Sequence, residues 1–351
     1  MLLSIVIPVF NEEEVLPSLL DALLPVLTSI NYDYELVFVD DGSHDGTRQQ
    51  LTAMAQANSK IKVLEFSRNF GHQAAITAGL DFASGDAVVV MDADLQDPPE
   101  LLPEMLHAFE QGFEVVSAQR IDREGEGLFK RSTAAMFYAL MQKAVDERLK
   151  PQVGDFRMFS RAAVQTLRRF REQHRFMRGI VAWVGLKEAI IPFHRPPRAA
   201  GTSKYPFWKM ASFAWTAISS FSALPLKLSL YGGLITLFIG FLYSLNVIYQ
   251  ALILRSTDQS WSSLVCLQLC FNGLILVAIG LVGDYVAKIY EESKGRPLYV
   301  IADAMNLGPC NSLPDRIGWL RADTATCNTN PTKTFSRQNG IPAEAVTRQN
   351  T

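Results

Sequence analysis

Two long runs without a single charged side chain, Leu228–Leu254 and Gln259–Gly283, constrain this chain more than any other feature. A bilayer-spanning helix needs roughly 20 apolar residues, and each run exceeds that, leaving room for tilt or for ends in the headgroup layer. Only Arg255–Asp258 separates them, so the two segments must form a tight hairpin. Apolar residues make up 48% of the sequence and charged residues 19%, below the roughly 25% charged usual in soluble domains. Most of the apolar excess lies between Phe207 and Val286. Arg195, Arg198, Lys204, Lys209 and Lys227 precede the hairpin, Lys288, Lys294 and Arg296 follow it, and the short loop holds only Arg255. The positive-inside bias therefore places both termini in the cytoplasm, and the chain reads as a multi-pass protein of the inner (plasma) membrane. Ahead of the hairpin, Trp208, Phe213, Trp215 and Phe221 are mixed with Lys204, Lys209 and Lys227. That mixture suits amphipathic helices lying in the membrane interface over 205–227, with a buried core helix as the alternative.

The first 120 residues have a different pattern. Short β-rich runs, Leu3–Val9, Glu35–Val39, Ile61–Phe66, Ala87–Met91 and Glu114–Ser117, alternate with helical stretches such as Glu13–Leu27 and Gln73–Ala83. Such alternation predicts an α/β domain with a mostly parallel sheet covered on both faces. Met1–Phe10 lacks a basic n-region and is followed by Asn11-Glu12-Glu13-Glu14, so it reads as a buried first strand rather than a secretion signal. In open parallel sheets ligands bind at the carboxyl ends of the strands. Here those ends carry Asn11-Glu12, Asp40-Asp41-Gly42-Ser43 and Asp92-Ala93-Asp94. The net charge of −2 gives no footprint for nucleic acid. Cys266, Cys270, Cys310 and Cys327 have neither disulfide nor zinc spacing, which fits a reducing compartment.

Val89-Val90-Met91-Asp92-Ala93-Asp94-Leu95-Gln96-Asp97-Pro98 is the strongest local signal. A hydrophobic strand ends in two carboxylates one residue apart, followed by a turn. Carboxylate and amide oxygens suit Mg2+ or Mn2+, often shared with substrate phosphates. A cation there stabilises a departing diphosphate.

With these residues in view, the chain resembles the inverting family 2 glycosyltransferases with a GT-A (Rossmann-like) fold. The resemblance rests on Pro8-x-x-Asn11-Glu12, Val39-Asp40-Asp41-Gly42-Ser43 and Asp92-Ala93-Asp94-Leu95-Gln96-Asp97-Pro98. Ser67-Arg68-Asn69-Phe70-Gly71-His72, followed by Ala78-Gly79-Leu80, narrows it to the polyprenyl-phosphate glycosyltransferases. That group includes dolichyl-phosphate mannose synthases, aminoarabinose undecaprenyl transferases and bactoprenol glucosyltransferases. The paired apolar segments after the catalytic domain are most similar to the last of these, over roughly residues 1–300.

The resemblance implies transfer of a hexose from a nucleotide sugar, UDP-glucose by the nearest likeness, to a polyprenyl phosphate, supporting cell-envelope glycan modification. It implies that Pro8, Phe10, Glu12 and Asp41 line the base and ribose, that Asp40 supports the loop, and that Asp92 contacts the nucleotide. Asp94 and Gln96 would hold Mg2+ or Mn2+, and Arg120 would approach a phosphate. Arg131, Arg195, Arg198, Ser203 and Lys204 are the acceptor-phosphate candidates, with generic attraction to anionic lipid as the alternative for each cation. Asp155, in Gly154-Asp155-Phe156-Arg157, matches the bactoprenol-type pattern. A phosphate monoester with a second pKa near ~6 is already largely dianionic at neutral pH, so orientation of the acceptor is the favoured role over proton abstraction. His72 and His174 read as structural or exposed.

Expected boundaries are a catalytic domain over 1–204, interfacial helices over 205–227, the hairpin over 228–286 and a partly disordered cytoplasmic tail over 287–351. The assembly expected is a homo-oligomer. Three readings compete with UDP-glucose transfer to a polyprenyl phosphate. A dolichyl-type enzyme would use GDP-mannose. A processive polysaccharide synthase would carry Gln-x-x-Arg-Trp and more spans, where this chain has Gln173-His174-Arg175-Phe176 and two. A non-catalytic lipid-binding scaffold would have no reason to keep Asp41, Asp92, Asp94 and Gln96.

Arg131→Ala or Lys204→Ala is expected to raise the acceptor KM while leaving UDP affinity nearly unchanged. Calorimetric titration with UDP and Mg2+ checks this, and lost UDP affinity in both variants would move the two residues to the donor site.

Overall fold

Leu2–Val9 is apolar except for Ser4, and every residue of it but the first is buried. A strand buried on both faces belongs in the middle of a parallel sheet, and β1 (Leu2–Val9) lies there, between β2 (Asp33–Asp40) and β4 (Ala87–Val90). The computed structural model describes residues 1–121, 148, 150, 152–194, 219, 224–252, 261–307 and 317–319. Among them, the strands form one nine-stranded sheet. Its further members are β3 (Ile61–Phe66), β5 (Val115–Arg120), β6 (Val153–Ser160), β7 (Glu188–Phe193), β8 (Tyr299–Met305) and β9 (Ile317–Trp319), in the order β7-β5-β6-β4-β1-β2-β3-β8-β9. Strand β6 runs antiparallel to both β4 and β5, and β8 antiparallel to β3; the other pairings are parallel. The helical periodicity read from sequence corresponds to α1 (Leu16–Ser29) and α3 (His72–Phe82), with α2 (Thr47–Ala57) and α4 (Leu102–Glu110) in the same series.

The period of two along the strands sorts the core into two layers. Leu3, Ile5 and Ile7 pack with Leu16, Leu19 and Leu23 of α1 and with Met105 of α4 on one face. Val6, Val37 and Val39 pack with Ala75, Ile76 and Ala78 of α3 on the other. Contact on that second face is close: a Cβ on Gly79 would sit 2.0 Å from Cγ1 of Val6, so glycine alone lets α3 lie against β1. Two shorter helices, α5 (Arg161–Leu167) and α6 (Met177–Val184), follow β6.

The two apolar runs form α7 (Leu224–Leu252) and α8 (Trp261–Ser293). Gly232 faces Leu274 and Gly240 faces Phe271, the rising and falling numbers of an antiparallel pair. The apolar windows Pro225–Tyr243 and Phe271–Ser293 have mean hydropathies of 1.6 and 1.7, and among the described residues of the two only Pro225, at the start of the first, is buried. Side chains such as Phe238, Leu276 and Ile279 are each 60% exposed or more. An exposed apolar surface on that scale has no place in water, and burial in a soluble core is excluded, so the helices are a candidate membrane hairpin.

The segment after the hairpin differs from expectation. Helix α8 continues past 286 to Ser293, and the chain then returns to the catalytic sheet as β8. Tyr299 and Ile301 are fully buried. Tyr299 stacks on Phe66 with ring centroids 5.1 Å apart, and its hydroxyl donates to Asp81 at 2.6 Å. Arg171 also donates to the Asp81 carboxylate, so this buried charge is paired and hydrogen-bonded from two directions. The Tyr299-Val300-Ile301 run is a good strand, but polar residues from Asp303 onward make the region read as a tail. The residues expected to form interfacial helices lie almost wholly outside those described, as does the chain beyond Leu307 apart from the β9 residues.

Tyr299→Ala is expected to destabilise the protein by about 3–5 kcal/mol, the range for deleting a buried aromatic ring. Tyr299→Phe, which keeps the stacking, is expected to cost no more than the ~1.5–3 kcal/mol of a hydrogen bond to a charged group. Thermal unfolding of the two variants in detergent tests the order.

Candidate active site

Because β1, β2, β3 and β4 are parallel and in adjacent register, the loops after Val9, Asp40, Phe66 and Val90 all leave from one edge of the sheet. Polar side chains knit these loops together. Asn11, at φ 55°, donates its backbone N–H to Ser43 Oγ and accepts from His44 N–H with its amide oxygen. The Glu12 N–H donates to Thr47 Oγ1 at 2.9 Å, and Glu13 accepts from Gly46 N–H. Asp40 ends β2 and accepts from Ser43 N–H, while the Asp41 carboxylate accepts from the N–H groups of Phe70 and Gly71. Burial raises the pKa of both aspartates despite these bonds. Gly42 allows the contact: at φ 74°, its missing Cβ would lie 2.6 Å from the backbone carbon of Arg68. Pro8 is buried opposite Val39, whereas Phe10 is 40% exposed and meets His44 edge-on.

Beyond β4 the chain turns sharply. Leu95 takes a left-handed conformation at φ 59°, unusual for a non-glycine residue. The turn folds back on itself: Gln96 N–H donates to Asp94 Oδ1 at 3.1 Å, and Asp92 N–H donates to Asp97 Oδ2 at 3.0 Å. Gln96 and Asp97 are buried, and Asp92 and Asp94 are partly exposed. Burial and the adjacent Asp92 charge push Asp97 up to about 7. Arg120, the last residue of β5, offsets part of the charge on Asp92 and Asp97, and its buried Nε has no hydrogen-bond partner among the described residues.

Asp155 reaches this cluster through strand pairing. Val90 pairs with Arg157 across the antiparallel β4–β6 ladder, and continuing two residues sets Asp155 opposite Asp92. Two residues at the starts of helices meet them there. His72, first in α3, places Nε2 3.5 Å from Asp92 Oδ1 and 3.7 Å from Asp155 Oδ2. Arg178, near the start of α6, grips Asp155 with Nε at 3.0 Å and Nη2 at 3.2 Å. Gln73 donates to the same carboxylate at 3.4 Å. Burial opposes ionisation of Asp155, but the Arg178 charge and the His72 contact outweigh it and hold the carboxyl well below the usual carboxylate range. Burial likewise works against a charged His72, yet Asp155 and Asp92 raise its pKa.

The structure thus gathers Asp92, Asp94, Gln96, Arg120 and Asp155 at the same edge as Pro8, Phe10, Glu12, Asp40 and Asp41. Arg131, Arg195, Arg198, Ser203 and Lys204 lie outside the described residues. Sequence reading set His72 aside and did not single out Gln73 or Arg178. His72 had a signal, its place at the end of the Ser67–His72 motif and the start of a helix. Arg178 is brought to Asp155 by tertiary packing alone.

Among the described residues, no three His, Cys, Asp or Glu side chains converge as a metal cage. The turn sets Asp94 near Asp92 and brings the Gln96 backbone N–H onto Asp94, and carboxylate and amide oxygens of this kind would suit a hard cation such as Mg2+ or Mn2+.

A mostly parallel sheet with an acidic turn after its fourth strand and an antiparallel sixth strand beside it is the architecture of the GT-A class. The chain belongs to glycosyltransferase family 2: the model of glycosyl transferase family 2 matches residues 4–168. It is 45% identical over 298 residues to the uncharacterized glycosyltransferase YkcC of Bacillus subtilis, covering 85% of this chain and 92% of that one. It is 40% identical over 301 residues to the bactoprenol glucosyl transferase of Shigella phage SfV, covering 86% and 98%. Among solved structures, the glucosyl-3-phosphoglycerate synthase of Mycobacterium tuberculosis with Mn2+ and UDP-glucose is a distant likeness, at 18% identity and a TM-score of 0.44 over 62% of this chain and 78% of that one.

The depressed Asp155 pKa fixes a sign. A carboxylate stabilised in its ionised form contributes above its unfolded pKa of about 3.9 and loses that contribution as pH falls through and below it. Asp155→Asn is therefore expected to lower the melting temperature by a similar amount between pH 5 and pH 8, with the gap to wild type starting to narrow only below about pH 4 and narrowing further toward the depressed folded pKa. A gap that already narrowed between pH 8 and pH 5 would contradict this.

Proposed function

We propose that this chain transfers glucose from UDP-glucose to a polyprenyl phosphate at the cytoplasmic face of the membrane, with inversion at the anomeric carbon. The observation that carries the reading is the likeness to the bactoprenol glucosyl transferases over nearly their whole length, in a chain that pairs a family 2 domain with two apolar helices. Basic residues flanking the outer ends of the hairpin support a multi-pass topology with the catalytic domain in the cytoplasm.

On this reading the loops after β1, β2 and β3 form the nucleotide pocket. Phe10 offers an exposed ring to the base, Glu12 and Asp41 face the ribose, and Asp40 braces the turn through Ser43. Asp92 meets the nucleotide, while Asp94 and Gln96 hold Mg2+ or Mn2+. When bound, that cation neutralises the diphosphate and eases its departure. Arg120, whose buried Nε has no hydrogen-bond partner among the described residues, takes a phosphate oxygen. The acceptor is an anion with its own nucleophilic oxygen, so the protein needs to align it rather than deprotonate it. An Asp155 carboxylate held ionised by Arg178 is a weak base, and it serves orientation. Arg131, Arg195, Arg198, Ser203 and Lys204 are assigned to guiding the lipid phosphate.

The test is transfer of radiolabel from UDP-glucose into extracted lipid by the purified protein with polyprenyl phosphate. Asp94→Ala, or EDTA with wild type, is expected to lower the rate about 100-fold or more, the scale of a lost electrostatic stabiliser. Label entering lipid only from GDP-mannose would replace the donor. Retention of more than about a tenth of the activity in both the Asp94→Ala and the EDTA experiments would remove the metal assignment.

A further inference from the structure

Gln173-His174-Arg175-Phe176, set aside in sequence as an incomplete polymerase motif, lies between the exit of the membrane helix and the active site. Gln173 makes two contacts where the chain leaves α8: its N–H donates to Glu292 Oε2 at 3.0 Å, and its side-chain amide donates to the carbonyl of Arg296, just past the helix, at 2.6 Å. His174 faces Glu291 at 2.7 Å. Arg171 fixes the same segment to the core through the buried Asp81, which also accepts from Tyr299 just past the hairpin. Four residues beyond Gln173, α6 begins, and both of its first residues engage the site. The Met177 N–H donates to Gln73 Oε1 at 3.0 Å, the Gln73 amide donates on to Asp155, and Arg178 clasps Asp155. From Glu292 to Asp155 the chain of contacts is unbroken.

Building on the transfer reading above, we propose that Gln73 and Arg178 are positioning residues for Asp155, and that residues 171–178 act as a strap fixing that carboxylate relative to the membrane end of α8. The physical need is clear from the two substrates. The donor is held by the sheet and the acceptor by the bilayer, whose level is set by the hairpin. In-line transfer depends on alignment within about 1 Å, and a misplacement of that size costs up to ~100-fold in rate. A flexible connection between hairpin and sheet would leave that alignment to chance. The strap removes the slack with hydrogen bonds to charged groups at both ends, and its Arg178 fork fixes both distance and plane of the carboxylate. The Asp155 side chain is 9% exposed and that of Arg178 33%, so the pair is shielded enough to be directional yet open to the cleft. Gln73 is the joint: one end of its amide accepts from the strap and the other donates to the carboxylate.

The test uses the full-length protein in lipid nanodiscs. Arg178→Lys keeps the charge but loses the fork, and Gln73→Glu keeps the acceptor for Met177 but loses the donor. Each is expected to lower kcat by about tenfold or more while donor KM stays within about twofold. In an Asp155→Asn background, adding Arg178→Lys should change kcat by less than about twofold, because both act through one group. Hydrogen exchange reads the strap without reference to activity. Glu292→Ala should speed exchange in the peptide holding Met177 by about tenfold, and Glu292→Gln, which can still accept from Gln173, should restore slow exchange. Multiplying kcat losses for Arg178→Lys and Asp155→Asn would overturn the positioning role. Unchanged Met177 exchange in Glu292→Ala would overturn the strap. A wild-type protein that moved no sugar at all would end the transfer reading and the positioning role with it, while exchange would still judge the strap.

Discussion

The pairing of β4 with β6 is the contact on which the site depends. Strand β4 is short and wholly buried, and alone it would deliver only the acidic turn that follows it. Because β6 returns antiparallel alongside it, residues far apart in sequence arrive at the same edge in opposite directions, and Asp155 comes to stand across from Asp92. A parallel partner would have put Asp155 at the far edge of the sheet. That far edge is self-contained: Ser4, Glu35, Lys62 and the Ser84–Gly85 turn satisfy one another there. Reversing one strand in an otherwise parallel run therefore makes the site two-sided, with the loops after β1, β2 and β3 on one flank and Asp155 and its partners on the other.

Charge then decides what the two sides can do. Asp92, Asp94, Asp97 and Asp155 lie close together, and carboxylates this near cannot all ionise cheaply without cations. The protein divides them. Asp155 has Arg178 and His72 and stays charged, whereas Asp97 is buried beside Asp92 and is pushed up to about 7. One carboxylate is thus locked as an anion, the pKa of another is raised toward neutral pH, and Asp92 and Asp94 stay partly exposed, burial raising the pKa of Asp92 as well. An acidic cleft would repel a diphosphate donor and a phosphate acceptor alike. On the reading proposed above, Asp94 and Gln96 would hold a divalent cation that offsets this charge, and Arg120 adds a positive charge at the same edge.

Much of this was legible in the residues. Alternating apolar runs located β1, β2, β3 and β4 almost to the residue, since strands buried on both faces leave an uninterrupted signal. The acidic strand ends gave the edge, and uncharged runs gave the hairpin. Three things were not legible. Strand β6 carries Asp155 and Arg157 within it, so its pattern is neither an apolar run nor a clean alternation. Strand β8 is separated from its neighbour β3 by the whole membrane hairpin, and no local pattern encodes a pairing at that distance. Arg178 is an ordinary arginine in an apolar helix until tertiary packing sets it against Asp155. Local periodicity reports burial; it does not report which buried or half-buried groups will face one another.

The return of the chain to its own sheet changes what the hairpin is. Had α8 ended in a free tail, the membrane segment would be a tether, raising the local concentration of lipid near the site but leaving its orientation open. Instead β8 inserts beside β3, Tyr299 closes on Asp81 and Phe66, and Arg171 completes the same buried cluster. Helix α8 therefore enters the catalytic domain through a strand that cannot shift register without moving Tyr299 and Ile301 out of the core. The membrane level is referenced to the sheet by covalent continuity and buried packing, and to Asp155 by the residues between Arg171 and Arg178. Confinement to a surface shortens the search for a lipid acceptor, but only this rigid reference lets an acceptor arriving in the bilayer meet a donor held at the sheet edge in a fixed geometry.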